Sequence, residues 1–321
     1  MSSERELAPK RAPRWRLWLT VVMTLGLLVV VIEQFGGSRS FIDSLAQAEL
    51  GWVLFAFALA CASVVVTAQR WRQVLHGMGY RVGYGAAFHA VLAAWPLSVT
   101  TPSRAGDFAR PFMLRETVPL SAAAGSVLAE KIIDIHMLLA VALVCASLYR
   151  RWDLCAVSGL MLAAEYVVVL VLLRGRERLL RFRTFAKRGP QIEALYAAFD
   201  RLVSHPAALL AVSTSALVIR LLTVGVVHAL LRSVGVDAGF LTLVAPWMLA
   251  TLVGLVPLTM AGMGTRDAAF IVLLHASGGS TIPKPALLVA TVGYSLLAVW
   301  SFALAGLPFL AKATLGNRAQ R

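Results

Sequence analysis

Ionisable residues inside long apolar runs are costly, so each one is a functional hypothesis. Glu130-Lys131-Ile132-Ile133-Asp134 interrupts the apolar stretch that follows Pro119. Glu130 and Asp134, four residues apart, share one helical face. At about 1.5 Å per residue from Ser121, they lie roughly 14 and 20 Å into a spanning helix. Glu165 and Arg220 sit at comparable depth in two later apolar runs. An unpaired charge there is expensive, so Arg220 is expected to meet Glu130, Asp134 or Glu165. That pairing serves either a structural lock between helices or a translocation site. With Lys131 on the far side of its helix, Arg220 would face three acids, leaving one carboxylate free to carry a proton.

Two further clusters fall at breaks in apolar sequence. Residues 86–118 run apolar, break at Pro102-Ser103-Arg104-Ala105-Gly106-Asp107, and run apolar again. Residues 241–278 do the same around Pro257 and Gly262-Met263-Gly264-Thr265-Arg266-Asp267. The glycines permit tight turns, and amides freed at such turns can cradle an anion. Arg104 and Arg266 either grip phosphate oxygens through their planar guanidinium groups or snorkel to an interface. Asp107 and Asp267 are expected to cap the half-helices that follow, whether or not they also bind a ligand.

Catalytic patterns are missing. The chain holds no Gly-x-Ser-x-Gly elbow, His-Glu-x-x-His pair or glycine-rich nucleotide loop. Cys61, Cys145 and Cys155 lie in apolar segments without metal-ligand spacing, and His76, His89, His205 and His275 lack partners at such spacing. No catalytic residue, cofactor or metal is therefore expected. The enzymatic alternative is a divalent ion held by Glu130 and Asp134 in an embedded lipid transferase, although no acid-rich loop lies beside them.

The elements that position these groups belong to a membrane. Of 321 residues, 59% are hydrophobic and 14% charged, against roughly 25% charged in soluble proteins. The 30 Lys and Arg against 16 Asp and Glu are loop charges; with no soluble basic domain, nucleic acid is not an expected partner. Met1–Arg16 is charged, but the apolar run behind it is span-length and lacks a cleavage site, so it is not a secretory signal. The predicted fold is an all-α polytopic membrane protein with about six full spans and two re-entrant broken hairpins. Residues 1–14 form a cytoplasmic tail, 15–311 a single transmembrane domain and 312–321 a second cytoplasmic tail. Spans are expected at 15–32, 50–70, 154–173, 207–231 and 285–311, with a long helix from Pro119 to Tyr149. Trp52 and Trp71 are placed at the two interfaces of the second span. In the connector 174–205, a basic first half precedes an amphipathic helix. That helix, carrying Ile192, Leu195, Tyr196, Phe199, Leu202 and Val203, either lies on the membrane surface or is a plain solvated connector.

Lys and Arg fall mainly on the side of the N-terminus when each hairpin returns to the face it left, which places both termini in the cytoplasm. Residues 15–149 and 154–311 then share one layout in opposite orientations, an inverted repeat.

The runs PSRAGDFARPFMLR, SVLAEKIIDIHMLL and LVPLTMAGMGTRDAAFIVLL resemble the membrane region of lysylphosphatidylglycerol synthase, the flippase half of the multiple peptide resistance factor, and its stand-alone relatives. The family pattern falls on Pro102, Gly106, Asp107 and Arg110, then Glu130 and Asp134, then Pro257, Gly262, Gly264 and Asp267. Lys131 stands where arginine is usual. The resemblance covers residues 15–311, and the expectation is the family's lipid-translocating part without its soluble aminoacyl-transferring domain. It implies a bacterial inner-membrane flippase or transporter for a lipid with a charged or polar headgroup: phospholipid, hopanoid or polyprenyl-linked. The expected partner is a membrane lipid, anionic or phosphate-bearing; self-association and a separate lipid-synthesising enzyme are compatible with this reading. An embedded lipid-modifying transferase and a non-catalytic membrane scaffold are the competing functions.

Overall fold

The computed structural model describes residues 38–174, 189–256, 258–277 and 282–319, with positions 22, 25, 26, 29 and 33 before them. The expected tail 1–14, most of the span 15–32, the basic stretch 175–188 and Pro257 lie outside the described residues. All regular elements among the described residues are helical. In order they are α1 (Ser38–Ala46), α2 (Leu50–Gly77), α3 (Tyr84–Thr100), a 3₁₀ stretch (Pro102–Ala109) with one helical turn (Arg110–Met113), and α4 (Leu120–Leu148). There follow α5 (Trp152–Arg174), α6 (Gly189–Ser204), α7 (Pro206–Ser233), α8 (Phe240–Val253), α9 (Thr265–Ala276), α10 (Lys284–Ser295) and α11 (Ser301–Ala319).

Five helices among the described residues are long and apolar enough to cross a membrane: α2, α4, α5, α7 and the continuous α10–α11 rod. Their outward surfaces support that reading. Leu160, Tyr166, Val167, Val168 and Val171 of α5 all point away from the protein, and so much exposed apolar surface needs an apolar solvent. The rod contains a π-helical turn at Leu296–Trp300. Such turns disturb the carbonyl ladder, and the Trp95 indole donates to the Val299 carbonyl at 3.1 Å.

α2 and α7 pack along each other at the centre. The first broken segment leans on α11, α8 leans on α4, and the breaks at 102–109 and 260–262 touch. Every helix of the two broken segments is short: α3 has 17 residues, α8 has 14 and α9 has 12. At about 1.5 Å per residue the last two fall well below the roughly 30 Å of a bilayer core.

Two expectations about element ends are corrected. α2 does not stop at Arg70; without a Gly or Pro to break it, it runs on to Gly77. Trp71 is consequently fully buried, its indole donating to Ser126 Oγ at 2.9 Å, instead of marking an interface. The helix read as lying on the membrane is α6, which packs against α4 and α7. Its Leu202 is fully buried, and a Cβ on Gly77 would meet the Leu202 Cδ1 at 2.5 Å. Val203, on the same expected face, is 51% exposed, so that face turns partly toward the bundle and partly away from it.

Candidate functional site

Each break is built by local chemistry. Thr101 is extended (φ −109°, ψ 142°), as a residue preceding proline prefers. Its hydroxyl donates to the Leu97 carbonyl at 2.7 Å and accepts from the Gly106 amide at 2.7 Å, so freed backbone groups are satisfied within the turn. A Cβ at Gly106 would lie 2.1 Å from the Leu97 carbonyl carbon; only glycine lets the tip fold back on α3. The second break turns through Ala261 (φ 51°), Gly262 (φ 76°) and Gly264 (φ 82°), left-handed conformations that end any right-handed helix. The Gly264 amide donates to Asp267 Oδ2 at 3.0 Å, so Asp267 does cap α9. Asp107 caps nothing: its Oδ1 accepts from Ser98 Oγ at 2.5 Å and from Arg110 Nη2 at 3.0 Å.

Between the breaks runs a chain of alternating charges. Arg220 Nη2 reaches Asp134 Oδ1 at 2.9 Å, and Arg70 Nη1 reaches the same oxygen at 2.8 Å. Arg70 also pairs with Glu130, whose other oxygen accepts from Arg110 Nη1 at 3.0 Å. Arg110 binds Asp107, and Asp107 pairs with Lys131. The sequence Arg220–Asp134–Arg70–Glu130–Arg110–Asp107–Lys131 thus links α7, α4, α2 and the first break, each carboxylate lying between two cations. Arg70 and Glu130 are only 3% and 2% exposed. Pairing of this quality is what makes buried charge tolerable.

The chain lines a cavity of about 100 Å³ that is closed on the remaining side by the second break. Its cations are Arg70, Arg104, Arg110, Lys131, Arg220 and Arg266; its carboxylates are Asp107, Glu130 and Asp134. Six positive against three negative groups leaves an excess of three, reduced to two by Asp267 behind Arg266. Arg266 is buried and does not snorkel. It lies 5.2 Å from the Trp247 ring and 4.7 Å from the Tyr294 ring, with Nη2 donating to Asp267 Oδ1 and Ser295 Oγ at 2.7 Å each. Nε also serves Asp267 Oδ1, at 3.1 Å. Nε of Arg104 and Nε of Arg220 are buried without a hydrogen-bond partner among the described residues. Arg104, held in a left-handed conformation (φ 54°), rests over Trp95 at 5.4 Å and forms no ion pair with a described residue. Arginines from the first break and from α7 therefore bring unpartnered donors to one polar chamber, beside the buried Arg266 of α9.

The family described as the lysylphosphatidylglycerol synthase TM region matches residues 17–306. The chain belongs to this family. It is thus a multi-pass membrane protein related to lipid flippase domains. No individual curated protein matches it.

The candidate site residues expected from the sequence fall unequally in the structure. Arg104, Asp107, Arg110, Glu130, Lys131, Asp134, Arg220, Gly262 and Arg266 line the cavity, while Gly106, Gly264 and Asp267 shape or brace the turns behind it. Glu165 is elsewhere: it meets His136 at 3.3 Å across α4 and α5, apart from the charge chain. The premise for a free carboxylate also fails, because Lys131 joins the chain and Arg70, at the end of an expected span, supplies a further cation. The signal for Arg70 was available: Ser63, Thr67 and Arg70, four and three apart, form one polar helical stripe, and all three line the cavity. The divalent-ion reading does not fit either, since Glu130 and Asp134 each already face two guanidinium groups.

Proposed function

We propose that the protein moves a phosphate-bearing lipid headgroup across the bilayer through the chamber between the two breaks. The observation that carries the reading is the excess of positive charge lining the cavity, with buried, unpartnered Nε groups on Arg104 and Arg220, among apolar spans. Such an excess in a low-dielectric interior calls for an anion, and planar guanidinium groups suit tetrahedral oxyanions. The broken segments are read as re-entrant, one from each face, with their tips as paired gates. The packing of the first segment on α11 and of α8 on α4, each on the last helix of the opposite half, agrees with an inverted repeat. We place both termini in the cytoplasm of a bacterial inner membrane. Removing the cavity-lining Arg70, Arg104, Arg110 and Arg266 from the loop charges leaves the excess of Lys and Arg on that side.

Leaflet exchange of fluorescent phosphatidylglycerol in reconstituted vesicles, followed by chemical quenching of the outer leaflet, tests this. The wild-type protein is expected to accelerate exchange over protein-free vesicles. Arg104→Ala and Arg266→Ala should each slow it on the order of 10- to 100-fold, the worth of a charge-assisted contact. Arg266→Lys should recover only part, lacking the planar fork. Equal exchange with and without protein would leave a fixed scaffold.

A further inference from the structure

We infer that a second cavity, at the end of the bundle where α3 begins, is a binding site for the headgroup of an anionic membrane lipid. Its volume is about 430 Å³. Much of the space lies over small side chains of α3, Ala86, Ala90 and Ala93, opposite Phe309 of α11. Phe112, Met113 and Leu114, leaving the first break, complete an apolar interior. The mouth is charged: Arg115 and Lys312 against Glu116, all exposed, a net charge of one positive unit. His89 also lines it, its ring 5.2 Å from that of Phe309.

Apolar walls below a cationic mouth fit an amphiphile with a negative head. A soluble anion would leave the walls unfilled, and a bare hydrocarbon chain would carry no charge to complement the mouth. Leu304 and Leu307, on the helix that carries Phe309, are exposed apolar side chains, so hydrocarbon borders this helix.

The cavity is distinct from the charge-lined chamber. α11 crosses α3 between them so closely that a Cβ on Gly306 would lie 2.3 Å from the Leu92 carbonyl oxygen and 2.8 Å from Pro96 Cδ. Trp95 and Phe302, edge to face at 5.7 Å, fill the same crossing. The two sites nevertheless share one strut. Arg110 sits in the charge chain, and Phe112–Glu116, following it directly, wall the second cavity. A lipid held at the mouth would thereby brace the first break.

The test is photocrosslinking in the full chain with p-benzoylphenylalanine in place of Phe112. The protein is reconstituted into vesicles of equal phosphatidylcholine and phosphatidylglycerol, and the adducts are identified by mass. Phosphatidylglycerol adducts should exceed their share of the bilayer. Arg115→Glu with Lys312→Glu should lower them about five-fold or more, since each basic residue near an anionic lipid contributes about that factor. Arg115→Lys should retain them. Arg104→Ala with Arg266→Ala should leave the adducts unchanged, so failure of the translocation reading would not affect this result. Adducts in simple bilayer proportion, indifferent to the charge reversals, would overturn the proposal in favour of an unselective crevice. Loss of the adduct on adding inorganic phosphate, or crosslinking to a second copy of the chain in place of lipid, would also overturn it.

Discussion

Arg70 is the residue on which the charge chain turns. It serves Glu130 and Asp134 at once, and neither acid depends on it alone, because Arg110 holds the first and Arg220 the second. Arg70→Ala should therefore leave two carboxylates under-compensated in a buried site and destabilise the protein by about 3–5 kcal/mol. Arg70→Ala with Glu130→Ala removes one charge of each sign and leaves Arg220–Asp134 and Arg110–Asp107–Lys131 intact. The double variant should melt above the single one in detergent, a non-additivity that marks direct coupling. A double variant melting below Arg70→Ala would refute the pairing. The acids were legible in the sequence because charge in an apolar run is conspicuous and their spacing fixes a common face. Glu165 shows the limit of that argument: depth along a helix says nothing about which way the residue faces, and only packing of α5 turns it toward His136. Arg70 was missed for the opposite reason, its proximity to Arg72 making it resemble a loop charge.

At the scale of elements, the breaks were readable and the ends of helices were not. Pro102 with Gly106, and Gly262 with Gly264, announce turns that no helix can absorb, and both breaks appear where the sequence put them. What composition could not convey is how the turns are fastened, through the Thr101 hydroxyl at one and Asp267 at the other. The end of α2 was misjudged because a basic pair beside tryptophan looks like an interface, whereas Gly77 and Gly79, which do end the helix, lie a further two turns on. The contact at Gly106 gives this scale its test. A methyl there meets backbone atoms, which cannot rotate aside, so Gly106→Ala should cost at least the roughly 1–3 kcal/mol of overpacking and lower the melting temperature in detergent. Gly85→Ala, near the start of the same segment with nothing within 4 Å of its Cβ, should not. Equal melting of the two variants would show that the tip does not fold back on α3.

For the whole molecule, the decisive relation is the side from which each broken segment enters. Ala86 and His89 near the start of the first segment line the same cavity as Arg115 and Glu116 at its end, the geometry expected of a chain that goes in and comes back. α8 and α9 pack against each other, as two arms of a second hairpin would. On the inverted arrangement, cysteines placed at exposed positions flanking the first segment (Gly85→Cys and Glu116→Cys) should react with a membrane-impermeant thiol reagent from one face of sealed vesicles. Those flanking the second (Asp237→Cys and Ala276→Cys) should react from the other. The native Cys61, Cys145 and Cys155 are free thiols and would first be replaced by alanine. Labelling of Gly85→Cys and Glu116→Cys from opposite faces would make the first segment a complete crossing. Its tip would then no longer return to the face it left, the two halves would lose their shared layout, and the chamber would have to open by some motion other than exchange between two equivalent hairpins.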